Sequence, residues 1–285
     1  MRTRLFTVSF ALLSLILCAS PFVQASPEPN YYLALGDSLS IGIQPSLKGD
    51  VPTDQGYPDD LHALLRLREP GLSLVKLGCS GETSATMITG GICSYAEGNQ
   101  LATAVSFLET HPVSLLTIDI GANDVDQCFH LATLTIDEVC VATGITNIAN
   151  NLPYILSQLQ AASPHTLIVA MNYYDPFLAA WKLLPPPEGQ NIANESLLLT
   201  EGPSGLNGVL ESVYGAFHVP VADVASAFRI ADFAPVPIIN LPVNVFITLT
   251  FTWMAAPAPL GPDVHPNAAG YAAIAGAFAE KIAAR

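Results

Sequence analysis

Five short, largely apolar runs recur along this chain, at residues 31–35, 72–77, 113–120, 166–171 and 219–222. They are nearly continuous rather than alternating, which marks strands covered on both faces. Between them lie longer segments with helical spacing. Ile148, Leu152, Ile155, Leu156 and Leu159 share one helix face, as do Leu206, Val209, Leu210, Val213 and Phe217. Tyr271, Ile274, Phe278 and Ile282 form a last stripe. Strands alternating with amphipathic helices dictate an α/β fold, with a parallel, roughly five-stranded sheet between two helix layers. In such sheets ligands sit beyond the carboxyl ends of the strands. The residues that follow each run are therefore the first place to look for chemistry.

The N-terminus stands apart from this pattern. Arg2 and Arg4 precede an apolar stretch at 5–19, Pro21 breaks it, and Val23-Gln24-Ala25 offers small residues for cleavage. That is the layout of a secretory signal peptide over 1–25, leaving one domain over 26–285. The stretch is shorter than the roughly 20 residues a spanning helix needs, so no stable membrane insertion is expected after cleavage. Removing Arg2 and Arg4 takes the net charge from −14 to −16. No basic patch survives to bind nucleic acid. Cys18 leaves with the leader, so Cys79, Cys93, Cys128 and Cys140 remain. Four cysteines in an exported chain suggest two disulfides. Three pairings are possible, and the local ones, Cys79–Cys93 and Cys128–Cys140, close the shortest loops. No Cys-x-x-Cys occurs and the histidines are scattered, so no metal site or cofactor is expected.

Residues 233–262 carry no charge and are punctuated by prolines. They read either as an insertion packed on the core or as an apolar wall or lid for an acyl chain. Asp124 and Asp126 read as solvated or bonded to nearby backbone. His62 and His111 read as surface residues, and Asn194-Glu195-Ser196 as a sequon relevant only in a eukaryotic secretory pathway.

The strand ends supply the parts of an acyl-transfer site. Gly36-Asp37-Ser38-Leu39-Ser40 follows the first run and Ser80-Gly81-Glu82-Thr83 the second. Gly121-Ala122-Asn123-Asp124 follows the third, and Asp263-Val264-His265-Pro266-Asn267 precedes the last helix. Ser38 offers a nucleophile and His265 a base. The Ser38 N–H, the Gly81 N–H and the Asn123 amide offer donors to an oxyanion. Position 40 is Ser, so this is not the Gly-x-Ser-x-Gly elbow of α/β-hydrolases.

In these four blocks and their order the chain resembles the SGNH (GDSL) hydrolases, serine esterases and lipases with a flavodoxin-like sheet. The resemblance implies Ser38 as nucleophile, His265 as base, and Ser38, Gly81 and Asn123 as the oxyanion hole. One departure concerns the third triad member. The family places an Asp three residues before the His, where this chain has Pro262, and Asp263 comes two before. Either Asp263 or a backbone carbonyl near Gly261 or Pro262 would then orient His265. A Cys79–Cys93 bond would also brace the loop carrying Gly81. The leading reading is a secreted, metal-independent hydrolase of carboxylic esters, with lipid or acyl esters favoured. The alternatives are a carbohydrate O-deacetylase with the same residues, a non-catalytic binding protein, and a metal-dependent phosphoesterase or carboxylate-pair glycosidase. Oligomeric state is open.

Overall fold

The apolar runs become the strands of one sheet. The computed structural model describes residues 30–130 and 135–284, and the leader expected at 1–25 lies outside them. In chain order the strands are β1 (Asn30–Gly36), β2 (Leu72–Lys76), β3 (Val113–Asp119), β4 (Phe129–His130), β5 (Thr135–Ile136), β6 (Leu167–Met171) and β7 (Val221–Ala222). Five of them form a parallel sheet in the order β2-β1-β3-β6-β7, and β4 and β5 pair separately as an antiparallel ladder. Counted within the sheet this is the flavodoxin-like order 2-1-3-4-5. Tyr32, Leu33, Ala34, Leu35, Leu116, Ile118, Val169, Ala170 and Met171 are buried, which is why these strands read as continuous apolar runs.

The helices are α1 (Tyr57–Leu65), α2 (Ser84–Thr89), α3 (Gln100–Thr110), α4 (Ala122–Val125), α5 (Glu138–Ala162), α6 (Ala180–Leu183), α7 (Glu188–Glu201), α8 (Leu206–Ala216), α9 (Val224–Ala227), α10 (Val243–Phe251) and α11 (Ala268–Ala283). On one face α1 packs against α11, with the Tyr57 ring stacked on Phe278 at 4.8 Å. On the other, α5 packs against α2, α3 and α8 and buries its whole stripe from Ile148 to Leu159. Helix α5 starts well before that stripe. The Asp137 carboxylate caps it by accepting from the Cys140 N–H at 3.0 Å, and the Cys128–Cys140 bond ties its first turn to the rim of the sheet. Both local disulfides form.

The uncharged 233–262 segment folds as a short ladder, Pro235 against Pro242, followed by α10. Helix α10 packs on residues 176–179 and on α11. Its apolar character reflects that packing, with Val245 fully buried.

The tightest crossing lies where β1 and β3 end side by side, Gly36 opposite Asp119. Gly36 has φ +134°, and a Cβ there would sit 2.0 Å from the Asp119 carbonyl oxygen. Strained backbone costs about 1–3 kcal/mol and overpacking about the same. Gly36→Ala is therefore expected to destabilise by about 3 kcal/mol, lowering Tm by roughly 6–12 °C for a domain of this size. A thermal melt within about 2 °C of the parent would contradict this account of the junction.

Candidate active site

Ser38 sits just past the end of β1, held by what surrounds Asp37. The buried Asp37 accepts from the Leu39 N–H at 2.9 Å and from the Tyr173 hydroxyl at 3.3 Å. Its own N–H donates to the Asp119 carbonyl and, at 3.2 Å, to the Asp119 carboxyl. Asp119 is fully buried and accepts from the Tyr57 hydroxyl at 2.6 Å. Burial, and then the neighbouring Asp37, push the Asp119 carboxyl well above the usual carboxylate range. Gln100 secures the same turn from the other side. Its Oε1 accepts from the Gly36 N–H at 2.7 Å and its Nε2 donates to the Gly36 carbonyl at 2.9 Å. The turn leaves Ser38 only 8% exposed, lining a cavity. Among the described residues its hydroxyl engages no hydrogen-bond partner.

The next two strand ends meet Ser38 at this cavity. Gly81 has φ +82°, which favours glycine. The Cys79–Cys93 bond anchors its loop, and Cys79 donates its N–H to the Gly36 carbonyl at 3.1 Å. Asn123, in the short helix α4 that follows β3, donates from Nδ2 to the Glu82 carbonyl at 3.1 Å. Ser38, Gly81 and Asn123 all line the cavity. The Ser38 and Gly81 N–H groups donate to no acceptor among the described residues. Asp124 is not solvated: it is buried and accepts from the Ser84 N–H at 2.8 Å and the Ser84 hydroxyl at 2.6 Å. It thus clamps the Asn123 loop to the Gly81 loop.

His265 approaches from the loop before α11. One oxygen of Asp263, Oδ1, accepts both the His265 backbone N–H and its Nδ1, each at 2.8 Å. A two-residue offset is the spacing at which an Asp side chain turns back onto its own chain. The shift from three residues to two is thereby accommodated, and the carboxylate rather than a carbonyl holds the ring. Segment 233–262 fixes this loop. The Trp253 N–H donates to the His265 carbonyl at 3.0 Å, and the Asn267 N–H to the Phe251 carbonyl at 2.9 Å. The Tyr174 hydroxyl donates to the Val264 carbonyl at 2.8 Å. Burial opposes protonation of His265, but the Asp263 bond and the nearby Asp50 and Asp37 charges outweigh it, so its pKa is raised. Burial likewise works to raise Asp263, but its bonds to His265 leave its carboxyl below the ordinary value. Asp50, Asp263 and His265 bring potential ligand atoms within 4.8 Å of one another. The Nδ1 of His265 is engaged by Asp263, and Asp50 stands exposed beside the pair.

The cavity measures about 190 Å³. Its apolar lining includes Val125, Phe129, Val141, Pro176, Phe177 and Leu206. The Phe129 and Phe177 rings stack on each other at 4.1 Å within it. No residue of 233–262 lines it, so that segment supports the histidine loop and does not wall the cavity. Sequence reasoning does not single out Tyr173, Asp119 or Gln100, and it reads Asp126 only as solvated or bonded to nearby backbone. Asp119 is the only one with a visible signal, a carboxylate ending an apolar run. His62 is half-buried, its Nε2 paired with the Leu72 carbonyl at 2.9 Å, and His111 is exposed and stacks on Phe107. Both lie outside the cavity lining. Asn194 is exposed on α7.

Among the described residues no helix is long and apolar enough to cross a membrane. An arylesterase from Vibrio mimicus is 37% identical over 115 residues, 40% of this chain. The match spans 46% of that relative, so the likeness reaches about half its length. An extracellular lipase from Streptomyces rimosus superimposes with a TM-score of 0.56 at 18% identity, over 88% of this chain and 99% of the other. Phospholipase A1 from Streptomyces albidoflavus NA297 gives 0.53 at 21% identity, over 88% and 98%. These likenesses speak for the fold. The GDSL-like Lipase/Acylhydrolase family matches residues 34–273, and with that match over most of its length the chain belongs to this family of carboxylic ester hydrolases.

Proposed function

We propose that this chain is an exported serine esterase that cleaves esters of small acyl or aryl groups through an acyl-enzyme on Ser38. The bond between Asp263 Oδ1 and His265 Nδ1 carries the reading, on a histidine sharing its cavity with Ser38, Gly81 and Asn123. An ionised carboxylate only accepts, so His265 keeps its proton on Nδ1 and offers Nε2 as base. Ser38 Oγ attacks the carbonyl carbon while its proton passes to Nε2. The carbonyl oxygen becomes an oxyanion received by the Ser38 and Gly81 N–H groups and the Asn123 amide. Collapse expels the alcohol, which takes the proton from His265. Water, activated by the same nitrogen, then releases the acid and restores Ser38. No bond joins Ser38 to His265 among the described residues, as is common for nucleophile–base contacts that close with substrate.

Cavity size supports a small substrate group. An engineered cavity of roughly 150 Å³ holds benzene, and this one is about 190 Å³, space for one ring or a short acyl chain. The likeness to an arylesterase points the same way. Two disulfides and the leader-like pattern at 1–25 support export.

Ser38→Ala and His265→Ala are expected to lower kcat/KM for p-nitrophenyl acetate on the order of 10⁴-fold or more, with Ser38→Ala also abolishing fluorophosphonate labelling. Asp263→Asn is expected to lose roughly 10³–10⁴-fold; retention within about tenfold would return the orienting role to a backbone carbonyl. The base works unprotonated, so activity falls as pH falls. With the His265 pKa raised, the acid limb of the kcat/KM profile should lie above the ordinary imidazole value of about 6.5, and a limb below it would contradict the Asp263–His265 bond. Across p-nitrophenyl esters from acetate to palmitate, kcat/KM should peak among the short chains and fall at least about tenfold by palmitate, a difference of about 1.4 kcal/mol. A maximum at palmitate would refute the small-cavity reading.

A further inference from the structure

Three aspartates line the cavity, Asp37, Asp126 and Asp175, and two of them are engaged within the fold. Asp37 accepts from the Leu39 N–H and the Tyr173 hydroxyl. Asp175 accepts from the Phe177 N–H at 2.9 Å and the Ser196 hydroxyl at 2.8 Å. Asp126 differs. It lines the cavity beside the aromatic pair Phe129 and Phe177, and among the described residues its carboxyl has no hydrogen-bond partner. It does not cap the short turn 126–128 that it begins. No Lys or Arg lines the cavity. Asp126 is half-buried, so in the open cavity water can reach its carboxyl, and an ester that displaces that water must supply a donor in its place or leave the carboxyl unpaired. Burial first, then Asp37 and Asp175, push this carboxyl up to about 7, with His265 opposing. The carboxyl is thus reluctant to ionise.

We propose that Asp126 is a specificity-determining residue whose carboxyl accepts a hydrogen bond from a hydroxyl or ammonium group on the ester seated beside Ser38. The inference rests on the esterase reading above and deepens it, naming the substrate class as short esters bearing a hydrogen-bond donor. A site built to satisfy such a donor rejects the analogue lacking it, because its own polar group is then stranded. Plain alkyl esters of the same shape are therefore the poorer substrates. The carboxyl adds nothing to bond making or breaking at the carbonyl.

The test uses full-length protein and three ester pairs matched in shape, each with a donor replaced by a methyl or methine group. They are 2,3-dihydroxypropyl against 2-methylbutyl acetate, 2-(dimethylammonio)ethyl against 3-methylbutyl acetate, and ethyl 3-hydroxybutanoate against ethyl 3-methylbutanoate. The readout is the ratio of kcat/KM within each pair. In the parent, assayed on the alkaline side of the Asp126 pKa so that the carboxyl is ionised, at least one ratio should favour the donor-bearing ester by about 10- to 100-fold, as befits a hydrogen bond to a charged group, and Asp126→Ala should collapse that ratio towards one. The first two pairs separate hydroxyl from ammonium, and the third tells whether the acyl side carries the donor. Asp126→Leu is the second variant, filling the site without a cavity, and fluorophosphonate labelling of Ser38 confirms that either variant is folded. Ratios that agree within about twofold between parent and variants in all three pairs would overturn the assignment of Asp126 while leaving the esterase reading intact. A parent inactive on every ester, and not labelled at Ser38, would instead sink the esterase reading and this inference with it.

Discussion

The buried meeting of Asp37 and Asp119 is the constraint around which the site is arranged. Two carboxyls placed side by side away from water cannot both ionise cheaply, and here each is committed to holding a neighbour. Asp119 receives the Asp37 N–H and the Tyr57 hydroxyl, and Asp37 receives the Leu39 N–H and the Tyr173 hydroxyl. Four segments far apart in sequence thereby converge on one residue pair. The crossing leaves no room for a side chain at position 36, so the glycine before Asp37-Ser38 is a steric requirement of Asp119. The turn that presents Ser38 is over-determined, as its proposed role as a nucleophile beside a fixed oxyanion hole demands.

The histidine end is built differently. Ser38 is fixed by buried strand ends, whereas His265 stands on a loop outside the sheet. Its position depends on Asp263 within the loop and on the uncharged 233–262 segment behind it. The Trp253 N–H and the Phe251 carbonyl pin the backbone at His265 and at Asn267 just after it, and the Trp253 indole donates to Gln44, whose amide reaches the Pro266 carbonyl. An apolar, proline-punctuated stretch suits that task. It buries on the core and spends its few free backbone groups on the loop. The same composition would suit an acyl-chain wall, and composition alone does not separate the two uses.

What was legible in the sequence was what is local in it. The five runs and the helix stripes carry their own periodicity, and the four polar blocks each follow or precede such an element, so strands, layers and rim could be read directly. Asp119, Tyr173 and Gln100 were not legible because their roles come from contacts across the fold, Asp119 reaching a residue 82 positions away. Asp124 and Asp126 look alike in sequence, two carboxylates in one loop. Only packing distinguishes them, since Ser84 meets the first and nothing within the described fold meets the second. Asp263 was ambiguous for a narrower reason. Its offset from His265 departs from the spacing the family suggests, and a turn in which one oxygen serves both the backbone and the ring of His265 restores the contact.

The rim thus divides into two parts with different physical demands. The segments after β1, β2 and β3 carry the groups proposed for acyl transfer, and the Cys79–Cys93 bond, the Asp124–Ser84 clamp and the carboxyl pair hold them rigid. The rest of the cavity lining comes from Val125, Asp126, Phe129 and Val141 and from residues between 173 and 206, joined through the Phe129–Phe177 stack and braced by Cys128–Cys140. Bond-making geometry tolerates little displacement, whereas a wall that selects the substrate by volume and one polar contact can change residue by residue without disturbing the turn at Ser38. A fold organised this way keeps one chemistry while its substrate range follows the wall. On the reading proposed above, the shape and polarity around Asp126, more than the triad, decide which ester this chain takes.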